Sequence, residues 1–253
     1  MSGKELVKHL FLTRKCASCR QILSFDEFDR ALCSECETAY RVATTEGCPN
    51  CLRSAIECTC QPKMLSSSGS LCLRKLFFYH SDKALEPQNK LIYFIKRTPS
   101  KRAFEFLADE LWGVITGELK SICPEGSYDD VIVTAVPRGR KARMLYGFDQ
   151  SEEMCRVISK SYGVGYVSLL KRKHGGKEQK KLNAAERRKN IKGLMSANKR
   201  TVDLAQGKYV VLLDDIVTTG ASMSACIPIL RKMGVKGVIC ATLALDVKKK
   251  SNM

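Results

Sequence analysis

A run of apolar residues that ends in two adjacent carboxylates most constrains the fold of this chain. Residues 210–213 (Val-Val-Leu-Leu) are typical of a strand covered on both faces, as in a parallel sheet. Asp214 and Asp215 follow at the carboxyl end of that strand, where open α/β folds bind ligands. A further apolar stretch at 223–230 is typical of a helix. The sequence therefore predicts a strand–turn–helix unit with a ligand site at its turn.

The turn consists of small and hydroxyl-bearing residues: Thr218, Thr219, Gly220, Ala221 and Ser222. Consecutive backbone amides at a helix N-terminus bind phosphate groups. The two aspartates in front of the turn are suited to accept hydrogen bonds from the vicinal hydroxyls of a sugar. Together these features predict a ribose 5-phosphate site. The alternative is an ordinary buried strand that ends in an Asx-rich turn. Two adjacent aspartates before a Thr-Thr-Gly turn are uncommon in such strands.

Residues 210–222 resemble the phosphoribosyl pyrophosphate (PRPP) motif of type I phosphoribosyltransferases. By that resemblance, Asp214 and Asp215 bind the ribose hydroxyls. The same resemblance implies that residues 218–222 hold the 5-phosphate and that Val217 also binds PRPP.

A second predicted strand, at 131–136, ends in Pro137 and Arg138. Guanidinium and ammonium groups at a strand end can neutralise pyrophosphate oxygens. Type I phosphoribosyltransferases place their pyrophosphate loop at a corresponding strand end, so the resemblance implies that Pro137 and Arg138 bind PRPP. An exposed basic loop without a ligand is the alternative.

Eight of the 13 cysteines form four close pairs: Cys16 with Cys19, Cys33 with Cys36, Cys48 with Cys51, and Cys58 with Cys60. Four thiolates satisfy a tetrahedral Zn²⁺ ion, and a Cys-x2-Cys turn supplies two of them. The spacing predicts two closed, structural zinc sites built from successive pairs, with a cross-braced arrangement as the other option. A redox or disulfide cluster is the main alternative to metal. The intervening segments are too short and polar for a core of their own, so metal would supply folding energy.

The composition changes after the cysteine pairs. A polar, serine-rich stretch at 64–70 predicts a linker between a zinc-ribbon-like module (1–63) and a main domain (71–253). In the main domain, strand-like apolar runs alternate with segments of helical spacing; the strand-like runs lie at 71–79, 131–136, 164–170, 210–213 and 235–245. This alternation predicts an α/β domain with a parallel sheet flanked by helices.

The formal net charge of +17 is concentrated between residues 171 and 200. Such a basic block attracts polyanions, whether pyrophosphate or nucleic acid, and a surface that serves only solubility is the alternative. No apolar run is long enough to cross a bilayer, and the N-terminus lacks a secretory pattern. We therefore expect a cytoplasmic protein without membrane insertion.

Two further elements resemble the ComF family of competence-associated, phosphoribosyltransferase-like proteins. Residues 147–151 (Gly-Phe-Asp-Gln-Ser) are similar to the family's Gly-Phe-Asn-Gln-Ala, although Asp149 replaces Asn and Tyr146 stands where Arg is usual. A second pattern carries Arg, Gln, Leu, Arg, Asn and Gly at matching intervals, at Arg172, Gln179, Leu182, Arg187, Asn190 and Gly193. Members of this family carry a cysteine zinc module before the phosphoribosyltransferase domain.

The resemblance implies a function as well as a fold. It implies that the segment 171–193 closes over PRPP and that the catalytic residues are Asp214, Asp215, Arg172, Gln179 and Arg187. Mg²⁺ would accompany PRPP, and the acceptor of a phosphoribosyl transfer is unidentified. The family is associated with natural transformation, so single-stranded DNA and the DNA-uptake machinery are expected partners. A non-catalytic factor that binds DNA or protein, or a PRPP-sensing regulator, are the alternatives to an enzyme.

Overall fold

The computed structural model describes residues 13–83, 85–122, 128–173 and 193–247, with the side chains of 140–142 excepted. The helices are α1 (Ser34–Thr44), α2 (Lys63–Ser66), α3 (Pro87–Arg97), α4 (Lys101–Ile122), α5 (Arg140–Tyr146), α6 (Gln150–Tyr162) and α7 (Ala221–Lys232). The strands are β1 (Leu73–Tyr79), β2 (Val131–Ala135), β3 (Gly165–Tyr166), β4 (Leu170–Arg172), β5 (Met195–Ala197), β6 (Tyr209–Val217) and β7 (Gly237–Asp246). Within these ranges no helix is both long and apolar enough to cross a membrane.

Five of the strands form a parallel sheet in the order β1-β7-β6-β2-β3. β6 is its central strand, and Val211 lies in register between Val133 of β2 and Ile239 of β7. Helices cover both faces of the sheet, which is why residues 210–213 are apolar without interruption and fully buried. The predicted α/β fold, a parallel sheet flanked by helices behind a cysteine-rich N-terminal region, is confirmed.

After the neighbouring parallel strands β2 and β6, the chain passes to opposite faces of the sheet. After β2 it continues through α6, which packs on one face with α3 and α4, to β3. After β6 it continues through α7, which packs on the other face, to β7. A crevice between the carboxyl ends of β2 and β6 results, and this is where doubly wound sheets bind ligands. We refer to it as the β2–β6 crevice.

The predicted strand at 164–170 is shorter in the structure. Only Ile132 and Val133 of β2 find partners in β3, and β4 pairs instead with β5 in an antiparallel ribbon. Leu169 and Leu170 are nevertheless buried, because they pack in the core on the α7 side of the sheet. The apolar run therefore reflects burial in that core and not a continued sheet strand.

The segment 64–70 also carries a core contact. Its first residues belong to α2, and Leu65 is fully buried against Gly220 of the β6–α7 turn. The polar residues that follow Leu65 in the sequence do not indicate that it is part of the core. The extents of the two domains, 1–63 and 71–253, stay a prediction.

The cysteine-rich region shares a core with the sheet. Tyr40 of α1 is fully buried and makes edge-on ring contacts with Phe77 of β1 and Phe106 of α4. Arg102 of α4 donates hydrogen bonds to the carbonyl oxygens of Phe28 and Arg30. These contacts hold the first cysteine pairs against the main sheet.

Candidate functional site

Asp215 lies at the centre of the β2–β6 crevice and contacts two cations. Its Oδ2 atom accepts a hydrogen bond from the guanidinium of Arg138, which follows β2. The ammonium nitrogen of Lys96, at the end of α3, lies 3.4 Å from the same oxygen. The other carboxylate oxygen, Oδ1, accepts the backbone N–H of Ile216 at 2.7 Å. The Asp215 carboxylate therefore joins three elements of the fold at one point.

Asp214 lies on the opposite face of β6, because side chains alternate along a strand. Its Oδ1 atom accepts the backbone N–H of Asp215 at 2.9 Å. Burial, reinforced by the neighbouring Asp215 charge, raises the pKa of Asp214 well above its usual range. Val210 and Leu212, which share this face of β6, pack in the same core as Cys226 of α7, so Asp214 lies on the α7 side of the sheet. The two acids, expected to face one sugar together, thus lie on opposite faces of β6 in different environments.

The β6–α7 turn presents a row of backbone amides. Thr218 and Thr219 are exposed, and Gly220 precedes α7 with φ +76° and no side-chain cap. The N–H groups at residues 219–222 have no acceptor within the described ranges, since the first turn of a helix has no intrahelical acceptor. A Cβ atom at position 220 would lie 2.7 Å from Cγ of Leu65. Both the left-handed backbone and this close approach require glycine.

Further residues that the sequence predicted for the site lie at the same carboxyl edge of the sheet. Pro137 and Arg138 lie directly after β2, and Val217 is the last residue of β6. Arg172 of β4 lies beside the loop after β2, since a Cβ atom built on Gly139 would be 3.8 Å from its Nε. The predicted catalytic residues Gln179 and Arg187 lie outside the described residues, so the closing loop stays a prediction.

Two other residues shape the crevice without being part of the predicted site. The fully buried Gln150 donates from Nε2 to the carbonyl oxygen of Lys96 at 2.8 Å, and so fixes the end of α3. Asp149 caps α6 by accepting the N–H groups of Ser151 and Glu152. Lys96 has no motif of its own, and no local sequence signal connects it to residue 215. Asp149, in contrast, is recognisable as a helix N-cap from its residue type.

The eight paired cysteines form two separate groups of four thiols. One consists of Cys16, Cys19, Cys33 and Cys36, and the other of Cys48, Cys51, Cys58 and Cys60. Within each group all sulfur atoms lie within 4.8 Å of one another. The Sγ atoms of Cys19 and Cys33 are 3.7 Å apart, too far for a disulfide. Four thiolates at about 2.3 Å from a tetrahedral zinc ion are about 3.8 Å apart, so the geometry fits zinc.

Backbone N–H groups point at one thiol in each group. Ser18 and Cys33 both donate to Sγ of Cys16 at 3.4 Å, and Asn50 donates to Sγ of Cys48 at 3.5 Å. Burial opposes ionisation of these thiols, but the N–H donors outweigh it and lower the pKa of Cys16. For Cys48 the same balance lowers the pKa to about 7. The thiolate is the form that binds metal, so in each group the lowered pKa of one cysteine favours metal binding.

The second group of thiols, residues 48–60, is attached to β1 by two cationic side chains. Lys75 is fully buried, and its ammonium donates to the carbonyl oxygens of Cys58 at 2.8 Å and Cys60 at 3.2 Å. The neighbouring Arg74 donates to the carbonyl oxygen of Ile56. The remaining described cysteines, among them Cys226, are buried and unpaired, as expected for small core residues.

The chain is similar in sequence to known proteins. The family model described as "Phosphoribosyl transferase domain" matches residues 151–252. Competence protein ComFC of Streptococcus pneumoniae is 23% identical over 235 residues, which are 88% of this chain and 96% of that protein. DNA utilization protein YhgH of Escherichia coli K12 is 28% identical over 117 residues, 44% of this chain and 49% of that protein.

Among solved structures, adenine phosphoribosyltransferase from Saccharomyces cerevisiae is 20% identical, with a TM-score of 0.35. The match covers 58% of this chain and 70% of that one. The sequence relatives, the matched domain and the cysteine clusters all support the same assignment. The chain is a homologue of competence protein ComFC, with a phosphoribosyl transferase domain behind a cysteine-rich region suited to zinc.

Proposed function

We propose that this protein binds PRPP in the β2–β6 crevice and transfers its phosphoribosyl group to an acceptor in support of DNA use. One observation carries the proposal. The backbone amides at residues 219–222 have no acceptor within the described part of the chain, and Arg138, Lys96 and Arg172 supply positive charge at the adjoining strand ends. An anion with phosphate at one end and pyrophosphate at the other fits this arrangement.

The chemistry follows from where the charges lie. The bond between C1 of the ribose and the pyrophosphate oxygen breaks, and pyrophosphate leaves with the electron pair. An acceptor nitrogen forms the new bond to C1 and loses its proton to solvent. Arg138 and Arg172 stabilise the negative charge that develops on the leaving group, and Asp215 orients the ribose hydroxyls.

The carboxylates of the crevice suit a magnesium ion that is held mainly by substrate and water. Asp215 is engaged by two cations, and burial raises the pKa of Asp214 above its usual range. Mg²⁺ retains several waters and is commonly bound through one or two carboxylates and substrate phosphates. When bound, it would neutralise pyrophosphate charge.

The second candidate function is a non-catalytic factor that binds single-stranded DNA or protein and uses PRPP as a regulator. It is favoured by the excess of Lys and Arg and by the names of the relatives, a competence protein and a DNA utilization protein. Contacts between lysine and DNA phosphates make the affinity fall steeply with salt.

Calorimetry with PRPP and Mg²⁺ tests the site. The double variant D214N/D215N should lose binding, and D203N, an exposed aspartate in the 3-10 helix Val202–Ala205, should bind as the unmodified protein does. Unchanged binding by the double variant would remove the site from the crevice. Release of pyrophosphate in the presence of individual bases would favour the transferase. Salt-sensitive DNA binding without turnover would favour the non-catalytic factor.

A further inference from the structure

We infer that Lys96 is a pyrophosphate-binding residue of the β2–β6 crevice, supplied from outside the matched phosphoribosyl transferase segment. This inference rests on the proposed function, because it names a ligand contact of the same site. The residue lies on α3, 119 positions before Asp215 in the chain.

The backbone of Lys96 is firmly placed. Leu91, Ile92 and Ile95 of α3 are fully buried in the core. At the end of the helix, the carbonyl oxygen of Lys96 accepts the hydrogen bond from Gln150, whose side chain is itself fully buried. The side chain leaves this fixed point toward the crevice and is 24% exposed. A rigid backbone with a partly exposed ammonium is suited to meeting a ligand.

Asp215 does not require Lys96 as a partner. The guanidinium of Arg138 already donates to Oδ2, and the N–H of Ile216 satisfies Oδ1. The 3.4 Å separation between Lys96 and Oδ2 is longer than the usual 2.7–2.9 Å of a charge-assisted hydrogen bond. Among the described residues, the ammonium of Lys96 donates no hydrogen bond. Its three N–H donors are therefore available to an acceptor that enters the crevice.

The excess of positive charge around Asp215 favours an anionic acceptor. Two cations, Lys96 and Arg138, share the single negative charge of Asp215. An incoming pyrophosphate group offers several charged oxygens to both cations. Their movement toward it frees Asp215 to accept hydrogen bonds from the ribose.

The test compares K96Q with K90Q, which removes a lysine from the same helix six residues earlier, about 9 Å away along its axis. Calorimetry is carried out on the full chain with its zinc, using PRPP, inorganic pyrophosphate or ribose 5-phosphate, each with Mg²⁺. K96Q should weaken PRPP and pyrophosphate about tenfold, the scale of one charge-assisted hydrogen bond. Ribose 5-phosphate should change less than about twofold in K96Q. K96R should recover part of the loss, and K90Q should bind all three ligands normally.

Three results would overturn the inference. Unchanged affinity of K96Q for PRPP and pyrophosphate would remove Lys96 from the site while leaving the proposed function intact. An equal loss for all three ligands would show that the substitution disturbs the crevice generally. Failure of the unmodified protein to bind PRPP would overturn the proposed function and this inference together.

Discussion

The guanidinium of Arg138, just after β2, contacts the carboxylate of Asp215, near the end of β6, across the crevice between these strands. The contact joins a residue expected to bind pyrophosphate to one expected to bind ribose. Under the proposed function, ligand binding exchanges this ion pair for contacts with the substrate. The proposed function therefore assigns two roles to the Asp215 carboxylate, which are the contact with Arg138 across the crevice and the binding of ribose.

The raised pKa of Asp214 predicts that the free energy of unfolding depends on pH. An acid whose pKa is higher in the folded state than in the unfolded state keeps its proton longer when folded, so the free energy of unfolding falls as pH rises between the two pKa values. D214N removes this dependence. The melting temperature of D214N relative to the unmodified protein should therefore increase with pH.

Thermal unfolding between pH 5 and 8 measures the effect, and its slope is limited to about 1.4 kcal/mol per pH unit for one group. The exposed variant D203N serves as the matched control for loss of one aspartate. A constant difference between D214N and the unmodified protein across this range would contradict the prediction.

The contact between Gly220 and Leu65 predicts that the segment before β1 supports the β6–α7 turn. G220A should lower the free energy of unfolding by about 1–3 kcal/mol, because alanine is strained at φ +76° and its Cβ meets Leu65. L65A should cost about 2–5 kcal/mol by leaving a cavity.

Denaturant unfolding of both single variants and of G220A/L65A gives the coupling between the two residues. The double variant should be more stable than the sum of the single losses predicts, since Leu65 no longer obstructs the new Cβ. Simple additivity of the two losses would show that the close approach is relieved elsewhere.

The grouping of the cysteines predicts the metal content of double variants. The unmodified chain should contain two zinc ions, one for each group of four thiols. C16S/C33S changes two ligands of the same group and should retain one ion. A cross-braced arrangement would place these two cysteines in different sites, so the same variant would lose both ions. Elemental analysis of purified protein decides between the two results.

Lys75 predicts a link between the second group of thiols and the sheet. A zinc ion with four thiolates carries a net negative charge, and the buried ammonium of Lys75 bonds the carbonyl oxygens of Cys58 and Cys60 beside it. K75M should weaken one of the two zinc ions about tenfold, because it removes this charge and leaves two acceptors without their donor.

Competition with a chromogenic chelator measures zinc affinity for K75M. K101M, which changes an exposed lysine at the start of α4, is the control. Equal affinity of both ions in K75M and in the unmodified chain would mean that Lys75 serves only the packing of β1.

Local patterns in the sequence determined a large part of this protein. The apolar residues at 210–213 can only be buried on both faces, and they form the central strand of the sheet. Cysteines two or three positions apart lie on one turn, so the four close pairs follow from spacing, and the structure combines successive pairs into two groups of four thiols. The Thr-Thr-Gly turn likewise needs a glycine with positive φ, which residue 220 supplies. Each of these features depends on residues that are close in the chain.

The tertiary structure alone decided the rest. Asp214 and Asp215 are adjacent in the sequence, and a joint sugar contact is expected of them. In the structure, β6 continues through both residues to Val217, so their side chains lie on opposite faces and have different partners. Lys96 reaches Asp215 only because α3 packs beside the sheet, and Leu65 reaches Gly220 only because α2 packs against α7. Contacts between residues this distant in the chain are set by packing of whole elements, which no local pattern specifies.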